Sequence, residues 1–167
     1  MRIGLVDVDA EWRGKVTFPN HALMKIAAYH KAHGDQVTWY QPLTTGHVDI
    51  CYLSKVFGDE YTKDYRWPID ADKVVRGGSG YAISIQDGKE VYQRGKDPPL
   101  SPEIEAIRPD YGIYSAWGIA NTAYGFLTRG CPRACSFCHV CAMQGRQVHT
   151  VAQLNDFWNG QKKHRTP

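Results

Sequence analysis

The chain has no long apolar run. Its most apolar-leaning stretch, "YGIYSAWGIANTAYGFL" (Tyr111 to Leu127), carries Asn121, Thr122 and three glycines, which makes it a poor membrane span and a better packed loop and strand. A signal peptide is missing as well, because Asp7 and Asp9 interrupt the opening apolar residues too early. A strong excess of either charge is missing: the formal net charge is +3, only mildly basic, where a nucleic-acid binder usually shows a stronger, clustered basic face. Internal repeats and low-complexity tracts are absent. Cysteines are not spread along the chain as in a secreted disulfide framework. These absences point to a soluble, globular, cytosolic protein with no membrane or nucleic-acid partner.

The 167 residues suggest one domain, or one small domain plus part of another. "MRIGLVDVD" reads as a buried strand ending in acidic residues, and "EWRGKVTFPN" as a loop. Asn20 is placed to cap a helix over "HALMKIAAYHKAHG", in which Leu23, Ile26, Ala27 and His30 fall at helical spacing and Gly34 ends the run. Strands follow at "DQVTWYQP", "HVDICYLSKVF" and "DKVVRGGSG", the last running into a glycine loop. This alternation predicts an α/β fold with a small Rossmann-like parallel sheet over residues 1–95. Asp87-Gly88 marks a hairpin within "YAISIQDGKEVYQRG". A Pro-rich linker over 96–120 holds a short helix near Pro102 to Ile107. The remainder, 121–167, opens with a strand at "TAYGFLTRG", continues through the cysteines, and adds a helix at "TVAQLNDFWNGQ" capped by Thr150 before a frayed "KKHRTP".

Ligands on parallel sheets gather at the carboxyl ends of strands. There the sequence places Asp7 and Asp9, which either face a ligand or cap the first strand. It also places Gly77, Gly78 and Gly80, which either let backbone approach a nucleotide or form a tight turn. His30 and His33 share a helix face but have no evident co-ligand. Trp12, Trp39 and Trp117 read as core or loop anchors, and Cys51, in "DICYL", as a buried core thiol.

The other four of the five cysteines lie in "GCPRACSFCHVC". Thiolates packed this closely need a metal, and thiolates hold both zinc and iron–sulfur clusters. Structural zinc usually takes two C-x2-C knuckles well apart in sequence, and here every thiol comes from one loop. Three cysteines, Cys131, Cys135 and Cys138, leave one iron of a [4Fe-4S] cube without a protein ligand. The spacing C-x3-C-x-aromatic-C, with Phe137 as the aromatic, and the preceding "YGFLTRGCPRACSFC" resemble the radical S-adenosylmethionine (radical SAM) superfamily. The resemblance implies that Cys131, Cys135 and Cys138 ligate three irons, that SAM chelates the fourth, and that Phe137 lines the adenine side. It also implies reductive cleavage of SAM to a 5′-deoxyadenosyl radical, fed by an electron donor such as flavodoxin or ferredoxin. Cys141 lies outside the motif and is a spare thiol, a site of misligation or a fourth ligand; His139 reads as a loop residue.

The N-terminal pattern resembles the Rossmann-like domain of the cobalamin-associated class of that superfamily. The D-x-H-x-x-G cobalamin-ligand motif is absent, although such domains can hold cobalamin without it. The resemblance further implies an incomplete radical SAM barrel: its first βα unit is present, as in a truncated product, a split-gene half or an expression fragment, and turnover by the isolated chain is not expected. The opposing expectation is a non-catalytic Rossmann-like binding module with a structural zinc site. Substrate identity is not readable from these residues.

Overall fold

The structure is a computed structural model, and it describes residues 1–119 and 122–158. Asn121, the "KKHRTP" tail and the end of the expected C-terminal helix lie outside the described residues.

Four parallel strands form the central sheet: β1 (Arg2–Asp7), β2 (Gln36–Trp39), β3 (Val48–Ser54) and β4 (Ala71–Gly77), in the order β2-β1-β3-β4. The expected parallel α/β sheet is therefore present. Register is set by side-chain alternation, with Leu5 opposite Trp39 on one side and Tyr52 on the other. Ile3 and Leu5 pack with Leu23, Ile26 and Ala27 of α2 (His21–Ala32) on one face. Val6, Val48, Cys51 and Leu53 form the core of the opposite face, beneath Tyr40, Tyr65 and Ile69. Val8, which opens the short helix Val8–Arg13, joins this cluster, and the connections 40–47 and 55–70 supply Tyr40, Tyr65 and Ile69. Gly4 belongs to this packing, since a Cβ there would stand 3.2 Å from the Tyr40 ring and 3.3 Å from the Cys51 Sγ.

The segment expected as a loop after the first strand is corrected. Residues Val8–Arg13 form a short helix, α1. The strand stops at Asp7, whose carboxylate accepts the Ala10 amide at 3.1 Å, and Gly14 ends the helix with φ of 65°. α2 starts as expected: the Asn20 side chain accepts the Leu23 amide at 3.2 Å. β5 (Ile83–Gln86) and β6 (Lys89–Tyr92) form the expected hairpin, with Asp87 and Gly88 both at positive φ. α3 (Pro102–Ala106) is capped by Ser101.

Leu100, Ile104 and Ile113 lie against the α2 face of the sheet. Tyr111–Trp117 forms a 3-10 turn, and Tyr111 and Tyr114 bury with Met24.

Two further expectations are corrected. Of the strand expected at "TAYGFLTRG", only Thr128–Arg129 (β7) pairs, with His149–Thr150 (β8). Thr150 therefore lies in a strand and caps no helix. α4 (Val140–Gln144) follows Cys138 and contains Cys141, and α5 (Leu154–Phe157) is a single turn. No helix among the described residues is long and apolar enough to cross a membrane.

Candidate functional site

In this strand order the chain reverses direction across the sheet between β1 and β3, and the carboxyl ends of those strands are where open α/β sheets bind ligands. Here the chain fills that crevice itself. Tyr114, 1% exposed, donates its hydroxyl to Asp7 Oδ2 at 2.6 Å and accepts the Asn20 amide at 3.0 Å. The Asn20 side-chain amide donates to Ser54 Oγ, at the end of β3, at 2.9 Å. Burial raises the Asp7 carboxyl above its ordinary pKa, against the lowering pull of the Tyr114 hydroxyl and the Ala10 amide. Asp9 accepts the Val56 amide at 2.6 Å and the Phe57 amide at 3.4 Å. Both aspartates therefore hold backbone at the strand ends. The cavity beside Asp7 and Tyr114 is about 50 Å³, far below the ~300 Å³ of a small ligand site.

The glycine loop closes the same edge. The Gly80 amide donates to the Lys55 carbonyl at 2.9 Å, and a Cβ on Gly80 would lie 2.3 Å from the Phe57 carbonyl oxygen. Gly78 sits at φ of 96°, 2.4 Å by the same measure from the Lys55 carbonyl oxygen, and donates to Asp97 at 3.1 Å. Gly77 faces open space. Beneath this loop Lys55 is buried, paired with Asp59 and 4.9 Å from the Tyr81 ring centre.

His30 is also a structural residue, with Nδ1 2.6 Å from Asp35 and Nε2 3.1 Å from the Tyr52 hydroxyl. Cys51 is fully buried, and burial pushes its thiol up to about 12.

The cysteine loop begins at Gly130, whose φ is 87° and where an added Cβ would stand 2.0 Å from the Gln147 carbonyl oxygen. The Cys131 amide donates to the Gly145 carbonyl at 3.1 Å, drawing the two ends of the loop together. Ala134 takes a positive φ of 49°, and the Cys138 amide closes a turn onto the Cys135 carbonyl at 3.1 Å. All four loop cysteines are reduced and half-buried. Cys141 differs from the others: its thiol donates to the Cys131 carbonyl at 2.8 Å, inside the loop. Phe137 projects outward, 84% exposed.

No three loop thiols come within 4.8 Å of one another; among the described residues only His47, Asp49 and Asp72 offer three ligand atoms that close. Zinc with Zn–S near 2.3 Å needs sulfurs roughly 3.8 Å apart, so its tetrahedron is not preformed. In the His47 set the imidazole Nδ1 faces Asp70 at 2.9 Å, and Nε2 faces Asp72, a member of the set, at 3.3 Å.

No protein-family model, curated protein or solved structure matches the chain.

One electrostatic signal in the sequence bears on the loop. No acidic residue occurs between Asp110 and Asp156, while Arg129, Arg133 and Arg146 do. Thiolates there would be the only side-chain anions of their own segment.

Proposed function

We propose that the chain is the N-terminal portion of a radical SAM enzyme, with Cys131, Cys135 and Cys138 as ligands of a [4Fe-4S] cluster. The observation that carries this reading is the division of labour among the four thiols. The Cys141 thiol is turned to the Cys131 carbonyl, and the three motif cysteines remain, on a loop closed at Gly130 and free of acidic residues. Such a cluster supplies the electron that cleaves SAM. Cys131, Cys135 and Cys138 would hold irons of such a cluster, and the exposed Phe137 would offer an apolar surface to SAM. A flavodoxin- or ferredoxin-type donor would deliver the electron, in a reducing cytosol.

The Rossmann-like unit then serves as a scaffold. Cobalamin does not fit its crevice, which Tyr114 and Asn20 fill. The β7–β8 pair is antiparallel and only two residues long, so it is not itself a βα unit of a parallel barrel, and the isolated chain is expected to bind a cluster without turning over SAM.

Anaerobic reconstitution with iron and sulfide tests this reading. Wild type should gain an iron–sulfur chromophore, Cys→Ala at 131, 135 or 138 should abolish it, and Cys141→Ala should keep it. One zinc per chain without labile sulfide, or an unchanged cluster in Cys138→Ala, would overturn the assignment.

A further inference from the structure

Most hydrogen bonds of the cysteine loop stay inside it. Cys131 bonds to Gly145, Cys138 to Cys135, Gly145 to Cys141 and Gly130 to the Gln144 side chain. Among the described residues, the side-chain hydrogen bond that leaves residues 130–145 runs from His139 Nε2 to Glu90 Oε2, at 3.3 Å. His139 directly follows Cys138 and caps α4. Glu90 lies in β6, opposite Ile85 of β5. Both side chains are largely shielded, 20% and 30% exposed.

The hairpin that carries Glu90 is itself firmly seated. Gly58 lies under it, and a Cβ there would stand 2.9 Å from Ile83 Cγ2 and 3.5 Å from Glu90 Oε1. The Gln93 amide ties the hairpin base to the Ala82 carbonyl at 2.7 Å. A continuous path therefore runs from the end of β3, through Gly58 and the hairpin, to Glu90, His139 and Cys138.

Charge supports the same reading. The loop segment has no carboxylate of its own, so the carboxylates its side chains meet come from the rest of the chain: Glu90 beside His139, and Glu105 beside Arg129 at 3.8 Å.

We propose that Glu90 is a positioning residue for the cysteine loop. Its carboxylate accepts from His139 and fixes the Cys138 end of the loop against the sheet domain, so that the third thiol keeps its place relative to Cys131 and Cys135 before metal arrives. This inference rests on the cluster reading for its purpose, but the contact is measurable without metal.

The test uses the full chain, iron-free and reconstituted. In the iron-free protein, amide hydrogen exchange is followed from Phe137 to Cys141; in the loaded protein, the rate of iron loss to a chelator is followed. Glu90→Ala should speed both by about fivefold, the size expected for one largely shielded hydrogen bond. Glu90→Gln keeps an acceptor oxygen and should stay within about twofold of wild type. His139→Ala removes the other partner without touching the hairpin. It should match Glu90→Ala, and the double variant should be no worse than either alone. Wild-type rates in Glu90→Ala, or a Gln variant as impaired as the Ala variant, would overturn the proposal. Failure of wild type to take up a cluster would overturn the cluster reading instead, while exchange in the iron-free chain would still decide the role of Glu90.

Discussion

Removing the Tyr114 hydroxyl is the sharpest test of the closed crevice. Tyr114→Phe keeps the ring and its packing against Trp39 and Trp117, 5.0 and 5.7 Å away between centres. It deletes one donor to the Asp7 carboxylate and one acceptor for the Asn20 amide, both buried. A hydrogen bond to a charged group contributes about 1.5–3 kcal/mol, and the orphaned Asn20 amide adds to the loss, so the expected cost is about 2–4 kcal/mol. In a chain of this length that lowers Tm by roughly 4–16 °C. Urea unfolding at neutral pH measures it. Tyr29→Phe, whose hydroxyl makes an exposed 3.4 Å contact with Glu103, is the control and should change stability by less than about 0.5 kcal/mol. The sign with pH is also fixed. The folded Asp7 pKa is raised, so the native state holds more protons than the unfolded state between the two values. The Asp7 contribution therefore weakens stability as pH rises through that window, and Tyr114→Phe, which removes a lowering interaction, should widen the window upward. A loss below about 0.5 kcal/mol, with an unchanged pH profile, would refute the buried network as the closure of the crevice.

The glycine loop should split by position: Gly80→Ala, forced against the Phe57 carbonyl, should lose about 1–3 kcal/mol in urea unfolding, and Gly77→Ala, facing open space, less than about 0.5 kcal/mol. Equal effects would mean that backbone crowding does not define the loop. Brief alkylation of the native apo protein, read by mass spectrometry, should label the half-buried loop cysteines and spare Cys51 until denaturant is added. Early labelling of Cys51 would contradict its place in the core.

What was legible in the sequence was local. Asn20 with helical spacing from Leu23 to His30 marked α2, the apolar runs marked the strands, and Asp87-Gly88 marked the hairpin. The cysteine spacing named three candidate ligands because the whole motif fits in one loop. Elements decided by distant partners were not legible. α1 was hidden because Val8 continues the apolar run of β1, and the helix is too short to show a period of its own. The segment 122–130 has strand composition, but only Thr128 and Arg129 find partners. Nothing near Tyr114 in sequence shows that it reaches Asp7, more than a hundred residues away. Nor does anything near Glu90 show that it meets His139.

The Tyr111 hydroxyl donates to the Phe157 carbonyl at 2.6 Å and accepts the Tyr124 amide at 3.0 Å. One phenol thus pins together the two ends of the stretch that carries the cysteines, and the Phe157 ring stacks onto Gly125, where no side chain could fit. The chain between them is a closed noose: its closure entropy is met at the neck, independently of metal. Loosening that knot would release both ends at once, so the loop and its flanking strands should open as one cooperative unit rather than fray from the C-terminal side.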